Sequence, residues 1–507
     1  MVESKERFSA GPAEIREASE RTKRFLRRLN LSEREAERLK RTVETLLRRI
    51  AERYGRSAQC ELELGQRLGR AYIRISYPGA EFDPTLTGRE EEGNAWSERL
   101  LIGLGLVPQW SRRRGVNSLT LCPRGRNYGS WLTYAAALAL SVVLTLALRT
   151  DTAATVGGAV LEQVFETVCS IWRAVAAPLL FTTAVSVICG AADTAQLGRH
   201  GRDMLARLAL PTLLWAVLGT AASALLFGLR FAPTLTAAAQ VEETAASAQP
   251  EIVPVLLAAL AAGTVMALLG GRTARLREMT EQLAELLRTI TEYVCRLTPL
   301  AVVAAVPLLY KARAFRTLWK LPIYFILLTL AATAVKLLAV SILRRISLPP
   351  LLKRLSGAMG ETLKCVSTDS TIGLTMDNCE NELGISHTLT LLGLPVGNIL
   401  CQPFVAAALT ASACFAASVS SVEAGVAWLA ELALLSTFLA VALPHVPGAL
   451  PFGMALLVRQ LGLPGESLML VAPVGFVLEA ASAALTTVYL RLELLLLEHG
   501  ENRHTKK

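Results

Sequence analysis

Apolar residues are gathered into long runs over the last three-quarters of the chain and into short periodic stripes over the first quarter. A helix crossing a bilayer needs about 20 apolar residues. Runs of that order lie near 131–149, 159–190, 204–229, 251–270, 281–310, 320–343, 388–416, 425–459 and 466–497. Two places break the pattern. The run at 425–459 contains Pro444, Pro447, Gly448 and Pro451, each of which disfavours continued helix, and this predicts two half-helices meeting at a tip. Residues 350–386 are weakly apolar around a polar centre, Cys365 to Gly373, which suits neither a lipid-facing span nor a long loop. They predict another re-entrant hairpin, because irregular backbone at membrane depth is tolerated where protein or a cavity covers it. Broken helices of this kind build binding sites near the bilayer midplane.

The first quarter reads differently. Leu39, Val43, Leu46 and Ile50 form a helical stripe behind a capping box made by Ser32 and Glu35. Strand-like alternation follows at 60–64, 71–77 and 117–121, with a turn-rich stretch at 78–85 and a helix-like one near 94–105. The expected fold is a mainly α membrane protein of about eight transmembrane helices plus two re-entrant helical hairpins, preceded by a small cytoplasmic α/β domain. The divisions fall at 1–127 for the polar domain, 128–498 for the membrane domain and 499–507 for a cytoplasmic tail.

Composition sharpens this picture. With 507 residues, 52% hydrophobic, 19% charged and a mean hydropathy of +0.42, the chain is not disordered, collagen-like or an ordinary soluble globule. Residues 1–127 hold 26 of the 52 Lys and Arg and 18 of the 42 Asp and Glu, so charge concentrates in the polar domain. Its basic excess suits anionic lipid headgroups or plain solvation, and nucleic acid is not expected as a partner. The nine cysteines are scattered and point to neither a disulfide framework nor a metal site. No secretory signal opens the chain. Arg199, Arg202 and Arg207, then Arg272, Arg275 and Arg277, then Arg344, Arg345, Lys353 and Arg354 place alternate loops inside; Lys311, Arg313, Arg316 and Lys320 dissent. The resulting expectation is a multi-pass protein of the plasma membrane with a cytoplasmic amino terminus.

Several ordered segments resemble the dicarboxylate/amino acid:cation symporters, the glutamate-transporter-like carriers. In APLLFTTAVSVICGAADTAQLGRHG (177–201), Pro178, Phe181, Ser186, Gly190, Asp193 and the triplet Leu197, Gly198, Arg199 stand where that family has them. RLTPLAVVAAV (296–306) is similar to its fifth span, and LTMDNCENELGISHTLTLLGLPVGN (374–398) to the exit of its first hairpin and its seventh span. The HVPG tip and residues 461–490 resemble its second hairpin and eighth span. The resemblance implies a homotrimer in which two hairpins and the seventh and eighth spans enclose a small carboxylate or amino acid and slide with it across the bilayer, an elevator mechanism driven by a coupling cation.

On that resemblance the pocket would be lined by Ser367, Thr368, Asp369 and Ser370 of the first tip, by Asn398 and Gln402 of the seventh span, by Pro447 and Gly448 of the second tip, and by Glu479, Ser482 and Thr486 of the eighth span. The family's Asn-Met-Asp-Gly-Thr motif falls on Cys401, Gln402, Pro403, Phe404 and Val405, and its terminal sodium-binding aspartate on Leu490. Its side-chain-reading arginine falls on Ser482. Sodium prefers hard oxygen donors, so sodium coupling is in question, and a proton carried by Glu479, Asp369 or His445 is the other candidate coupling cation. Asp369 is read either as a proton or cation contact or as a cap on a half-helix, and His445 either as a gate or as a solvated loop residue. Lys336 is expected to snorkel to the cytoplasmic interface, and Glu166 and Arg173 to pair on one helical face. The amino-terminal domain faintly resembles histidine-kinase and anti-sigma ATP-binding domains through Glu44, the PGAEFDP turn and RGVNSLTL. Arg48 and Tyr77 stand at that family's magnesium and nucleotide contacts, so ATP hydrolysis is not expected, no cofactor is assigned, and nucleotide binding is a secondary option only. The leading reading is a secondary active transporter rather than an enzyme; the alternative is a transporter-like membrane receptor that signals through its amino-terminal domain.

Overall fold

The computed structural model describes residues 2–28, 33–55, 58–67, 70–82, 84, 106–113, 115–123, 129–147, 151–195, 199–229, 252–269, 273–311 and 317–504. The polar segment opens with β1 (Val2–Ser9), α1 (Pro12–Arg27) and α2 (Glu33–Tyr54), followed by β2 (Gln59–Arg67), β3 (Arg70–Pro78), β4 (Leu106–Arg113) and β5 (Val116–Pro123). The strands form one antiparallel sheet in the order β1-β2-β3-β5-β4. Side chains alternate across a strand, and one face of the sheet contributes Cys60, Leu62, Leu64, Ile73, Ile75, Tyr77, Leu119 and Leu121 to a core closed by α1 and α2. The predicted stripe Leu39, Val43, Leu46 and Ile50 is buried in that core. Strands β1 and β4 and helix α1 add to the elements expected from the sequence. Ser32 and the helix-like stretch near 94–105 lie outside the described residues, as do the side chain of Glu35 and the expected boundary at 124–128.

Charged pairs lock α1 to α2. Glu33 lies 2.8 Å from Lys23 and also bonds Arg27, and the hydrogen bond from Arg27 is the first cause that holds its carboxyl down at about 2, with Lys23 next. A depressed carboxyl contributes stability that is present above its unfolded value near 4.5 and is lost as pH falls toward 2. Hydrogen exchange of the α1 amides, corrected for intrinsic rate, should therefore quicken as pH drops through that window, and Glu33→Gln should abolish the change. An acid response equal in both proteins would sink this account.

The membrane segment consists of α3 (Gly129–Ala147), α4 (Asp151–Ala195), α5 (Arg199–Leu226), α6 (Ile252–Leu269), α7 (Ala274–Cys295), α8 (Thr298–Lys311), α9 (Lys320–Arg344), α10 (Leu348–Cys365), α11 (Ile372–Asp377), α12 (His387–Leu400), α13 (Pro403–Val419), α14 (Val426–Ala442), α15 (Ala449–Gln460) and α16 (Ser467–His504). Among the described residues, seven stretches are long and apolar enough to cross a membrane, and α6 is a shorter apolar helix. The expected run at 281–310 is divided between α7 and α8 at Arg296–Leu297, and the run at 388–416 between α12 and α13 at Cys401–Gln402. Both proline-rich and polar interruptions turn back: α14 ends at Ala442 and α15 starts at Ala449, while α10 ends at Val366 and yields to a 3-10 turn, α11 and a π turn. Pro451 sits in the first turn of α15, where a missing N–H leaves no helix bond unmade.

Close packing surrounds α16. A Cβ added at Gly397 would meet Leu490 Cδ1 at 2.3 Å, and one at Gly393 would meet Leu494 Cδ2 at 2.6 Å, so two small residues four apart on α12 receive two leucines four apart on α16. Leu490 thus serves as a packing residue. Arg173 pairs with Glu166 at 3.3 Å, as expected. Lys336, expected to snorkel, meets Glu493 of α16 at 2.5 Å and lies over the ring of Tyr489 at 5.0 Å. The carboxylate that captures it stands 157 residues away in sequence. The loops at 231–250 and 312–316, which entered the charge argument, lie outside the described residues.

Candidate functional site between the hairpin tips

The break between α12 and α13 is built by chain geometry and closed by a neighbour. Pro403 cannot donate a helix bond, so the helix stops at Cys401 and restarts at Pro403. Thr212 of α5 caps both ends: its hydroxyl donates to Leu400 O at 2.5 Å and accepts from Gln402 N at 2.8 Å. The carbonyl of Leu400, which could have faced a cation, is therefore in use. Gln402 Nε2 donates to Asn398 O at 2.5 Å, leaving Gln402 Oε1 buried without a partner.

At the first tip, Val366 ends α10 with φ 51, and Ser367 Oγ accepts from both the amide and the hydroxyl of Ser370, at 3.3 and 3.2 Å. Thr368 Oγ1 is buried and unpartnered. Asp369 is the first residue of the 3-10 turn, whose N-cap position is Thr368. Its carboxylate accepts from Asn398 Nδ2 at 2.6 Å and lies 3.5 Å from His445 Nδ1, so it joins both tips to α12. His445, expected as a gate or a solvated loop residue, is largely buried, its side chain 12% exposed.

The second tip turns on Gly448, whose φ of 97 excludes ordinary side chains. Helix α15 begins immediately after it, and its first amides have no partners within the helix. They converge on one carboxylate. Glu479 accepts from Gly448 N at 2.7 Å, Ala449 N at 2.8 Å and Leu450 N at 3.1 Å. The positive end of the helix dipole adds to the three bonds. This gives Glu479 a partner that is backbone rather than a charged side chain.

A cavity of about 30 Å³ lies where these parts meet. It brings together six of the expected site residues, Ser367, Thr368, Gln402, His445, Glu479 and Ser482, and adds eight others, Val366, Val405 and Val446 among them. Asp369 and Asn398 form the neighbouring cluster just described; Ser370 supports Ser367. Gly448 acts through its amide and Pro447 precedes it in the turn, and neither lines the cavity, nor does Thr486, whose buried hydroxyl is unpartnered. Ser482 points back to Leu478 O at 2.7 Å and to Phe404 O at 3.3 Å. Thr212 was missed by sequence reasoning, and no local signal marks it: a threonine one residue after a proline reads as helix interior. Below the cavity, the fully buried Arg491 donates to Asn378 Oδ1 at 2.6 Å and to Leu355 O at 2.9 Å, tying α16 to the first hairpin.

In the amino-terminal domain, Arg48 pairs with Glu44 at 2.6 Å, and the buried Tyr77 donates its hydroxyl to Phe82 O at 2.7 Å. Trp110 Nε1 reaches the same carbonyl at 3.0 Å, and Asn117 and Tyr54 both bond Ala80 O. The turn expected near a nucleotide is thereby held by its own domain's side chains.

The model of the sodium:dicarboxylate symporter family matches residues 131–488, well over half of the chain. A C4-dicarboxylate transport protein 2 from Ralstonia nicotianae is 28% identical over 253 residues, which is 44% of this chain and 56% of that protein, so the chain spans little more than half the length of the curated relative it matches. The family match begins after the amino-terminal domain and says nothing of it. The chain therefore belongs to the sodium:dicarboxylate symporter family, one of transporters rather than enzymes.

Proposed function

We propose that the protein is a secondary active transporter of a small carboxylate or amino acid, working at the plasma membrane as a homotrimer with its amino-terminal domain in the cytoplasm. The observation that carries the reading is the cavity at which both hairpin tips, the α12–α13 break and Glu479 meet. A C4-dicarboxylate is the first substrate class to test, since the Ralstonia relative bears that name. Among the described residues, those lining the pocket include no arginine or lysine for a second carboxylate, which favours a ligand with one acidic group.

Sodium ligands expected from the family are replaced by Cys401, Pro403 and Leu490, and Leu400 O is bonded to Thr212, all of which supports a proton as the coupling cation. Glu479 is the leading proton carrier, with Asp369 and His445 close by. The elevator reading draws support from polar ties that cross-link the helices around the cavity: Lys336 with Glu493, Arg491 with Asn378, and Glu479 with the start of α15. Such ties favour movement as one body. The trimer reading draws support from α7, on which Leu276, Met279, Leu283, Leu286 and Ile290 are exposed at coiled-coil spacing, a face that a second copy can cover. The polar domain, 1–127, is assigned a regulatory role.

Uptake into proteoliposomes tests this reading. Radiolabelled succinate, fumarate, aspartate and alanine would be offered under an imposed proton or sodium gradient. An inward proton gradient should drive accumulation of at least one, and sodium alone should not. Accumulation on sodium alone would overturn proton coupling. Ligand binding without flux under any gradient would overturn transport and favour a receptor that reports through its amino-terminal domain.

A further inference from the structure

The carboxylate-binding part of the site is already occupied by the protein itself. Glu479 projects from α16 into the amino terminus of α15 and takes three amides with both oxygens. Those amides belong to a different helix from the carboxylate, so the contact clasps the second tip onto α16. Around it lie three polar atoms that the clasp leaves unused, Thr368 Oγ1, Gln402 Oε1 and His445 Nε2, all on residues lining the same cavity, the first two on residues 5% and 0% exposed. The cavity itself, about 30 Å³, has room for little more than a water molecule while Glu479 holds its place. A buried hydroxyl and a buried amide oxygen without partners are costly unless something donates to or accepts from them at another stage.

We infer that the start of α15 is a carboxylate-binding cradle that Glu479 fills in the absence of ligand, and that a ligand carboxylate must displace Glu479 from it. The cradle is selective for a planar, two-oxygen anion, because Gly448 N and Ala449 N meet different oxygens of one group. A ligand that took over these amides would place the rest of its body beside Thr368 and Gln402, giving the hydroxyl and the amide oxygen their missing partners. Glu479, released, would be free to take a proton or to meet an amine on the ligand. The closed state is thus held by an internal competitor, and the tip opens when that competitor leaves. The inference rests on the transport reading for the identity of the natural carboxylate, whereas the clasp can be read without any flux.

The test uses the full chain in detergent or nanodiscs with Val446→Cys as a reporter on the second tip. Eight native cysteines, Cys60, Cys169, Cys189, Cys295, Cys365, Cys379, Cys401 and Cys414, are buried, and Cys122 would be replaced by serine. In this background the reporter should react slowly with a charged maleimide. Glu479→Ala should raise the rate by about tenfold or more, the loss of charge-assisted bonds being worth at least that factor. Acetate at tens of millimolar, compared with chloride, should bring the rate in Glu479→Ala back toward the parent value and leave the parent unchanged. Should Glu479→Ala fail to fold, Glu479→Gln, which fills the same space with a neutral group, should show a faster rate than the parent and no response to acetate. A reporter equally slow in parent and variants, or an acetate effect as large in the parent as in Glu479→Ala, would overturn the inference. Protection by acetate in a protein that moves no substrate would leave the cradle standing and remove only the transport reading.

Discussion

Lys336→Met is expected to destabilise the protein by about 3–5 kcal/mol, the range seen when one member of a buried ion pair is removed. Lys336 and Glu493 are 19% and 9% exposed at their side chains and meet at 2.5 Å, deep between α9 and α16. Taking away the ammonium leaves a carboxylate with no counter-charge in a wall formed by Tyr489 and by apolar residues of α16. Replacing both residues together, Lys336→Met with Glu493→Leu, removes that unpaired charge and should recover most of the loss, since apolar substitutes for a buried pair are often neutral or stabilising. Thermal unfolding of the parent, the two single variants and the double variant in the same detergent measures the coupling directly. Single variants that melt with the parent would show that the pair carries no stability and that water reaches it.

The second large effect is at the other end of the site. Gly448→Ala combines two penalties. A residue other than glycine at φ 97 costs about 1–2 kcal/mol. The new Cβ would also lie 2.5 Å from both Cys295 O and Thr298 Oγ1, one of them backbone, and overpacking of this kind costs about 1–3 kcal/mol more. To relieve the contact the tip must lift from the α7–α8 junction, which carries the amides away from Glu479. Uptake should fall together with the unfolding temperature. Gly465→Ala is the control, because no atom lies within 4 Å of its added Cβ. Equal behaviour of the two variants would refute the steric account of the tip.

Much of this architecture could be read along the chain because its causes are local. Pro444, Pro447 and Gly448 end one helix and start another wherever they occur, and the stripe from Leu39 to Ile50 buries one face of α2 in any compact setting. The alternation at 71–77 fixes which side of β3 meets the helices. The site was legible only in part. Ser367, Thr368 and Glu479 were located through the resemblance, yet the partner of Glu479 is a set of backbone amides whose position depends on how two hairpin helices close. Lys336 was read from its nearness to Arg344 and Arg345, a local cue that carries no information about Glu493. Thr212 has no cue at all, because its role is set by the break in a helix 190 residues away. Strand β1 lacks a cue for another reason: half of Val2–Ser9 is charged, as edge strands often are, so its pattern lacks the alternation that marks a half-buried strand.

Val366 carries a further consequence. Its backbone stands at φ 51 and ψ 38, a region that branched side chains avoid, and it is held there by burial among Tyr134, Val302, Val306, Phe476 and Ala480. Residues in such conformations store about 1–3 kcal/mol. The turn at the first tip is therefore held against its own backbone preference by packing. A residue that bears no polar group of its own thus ties the first tip to the packed cluster that contains Phe476 and Ala480 of α16.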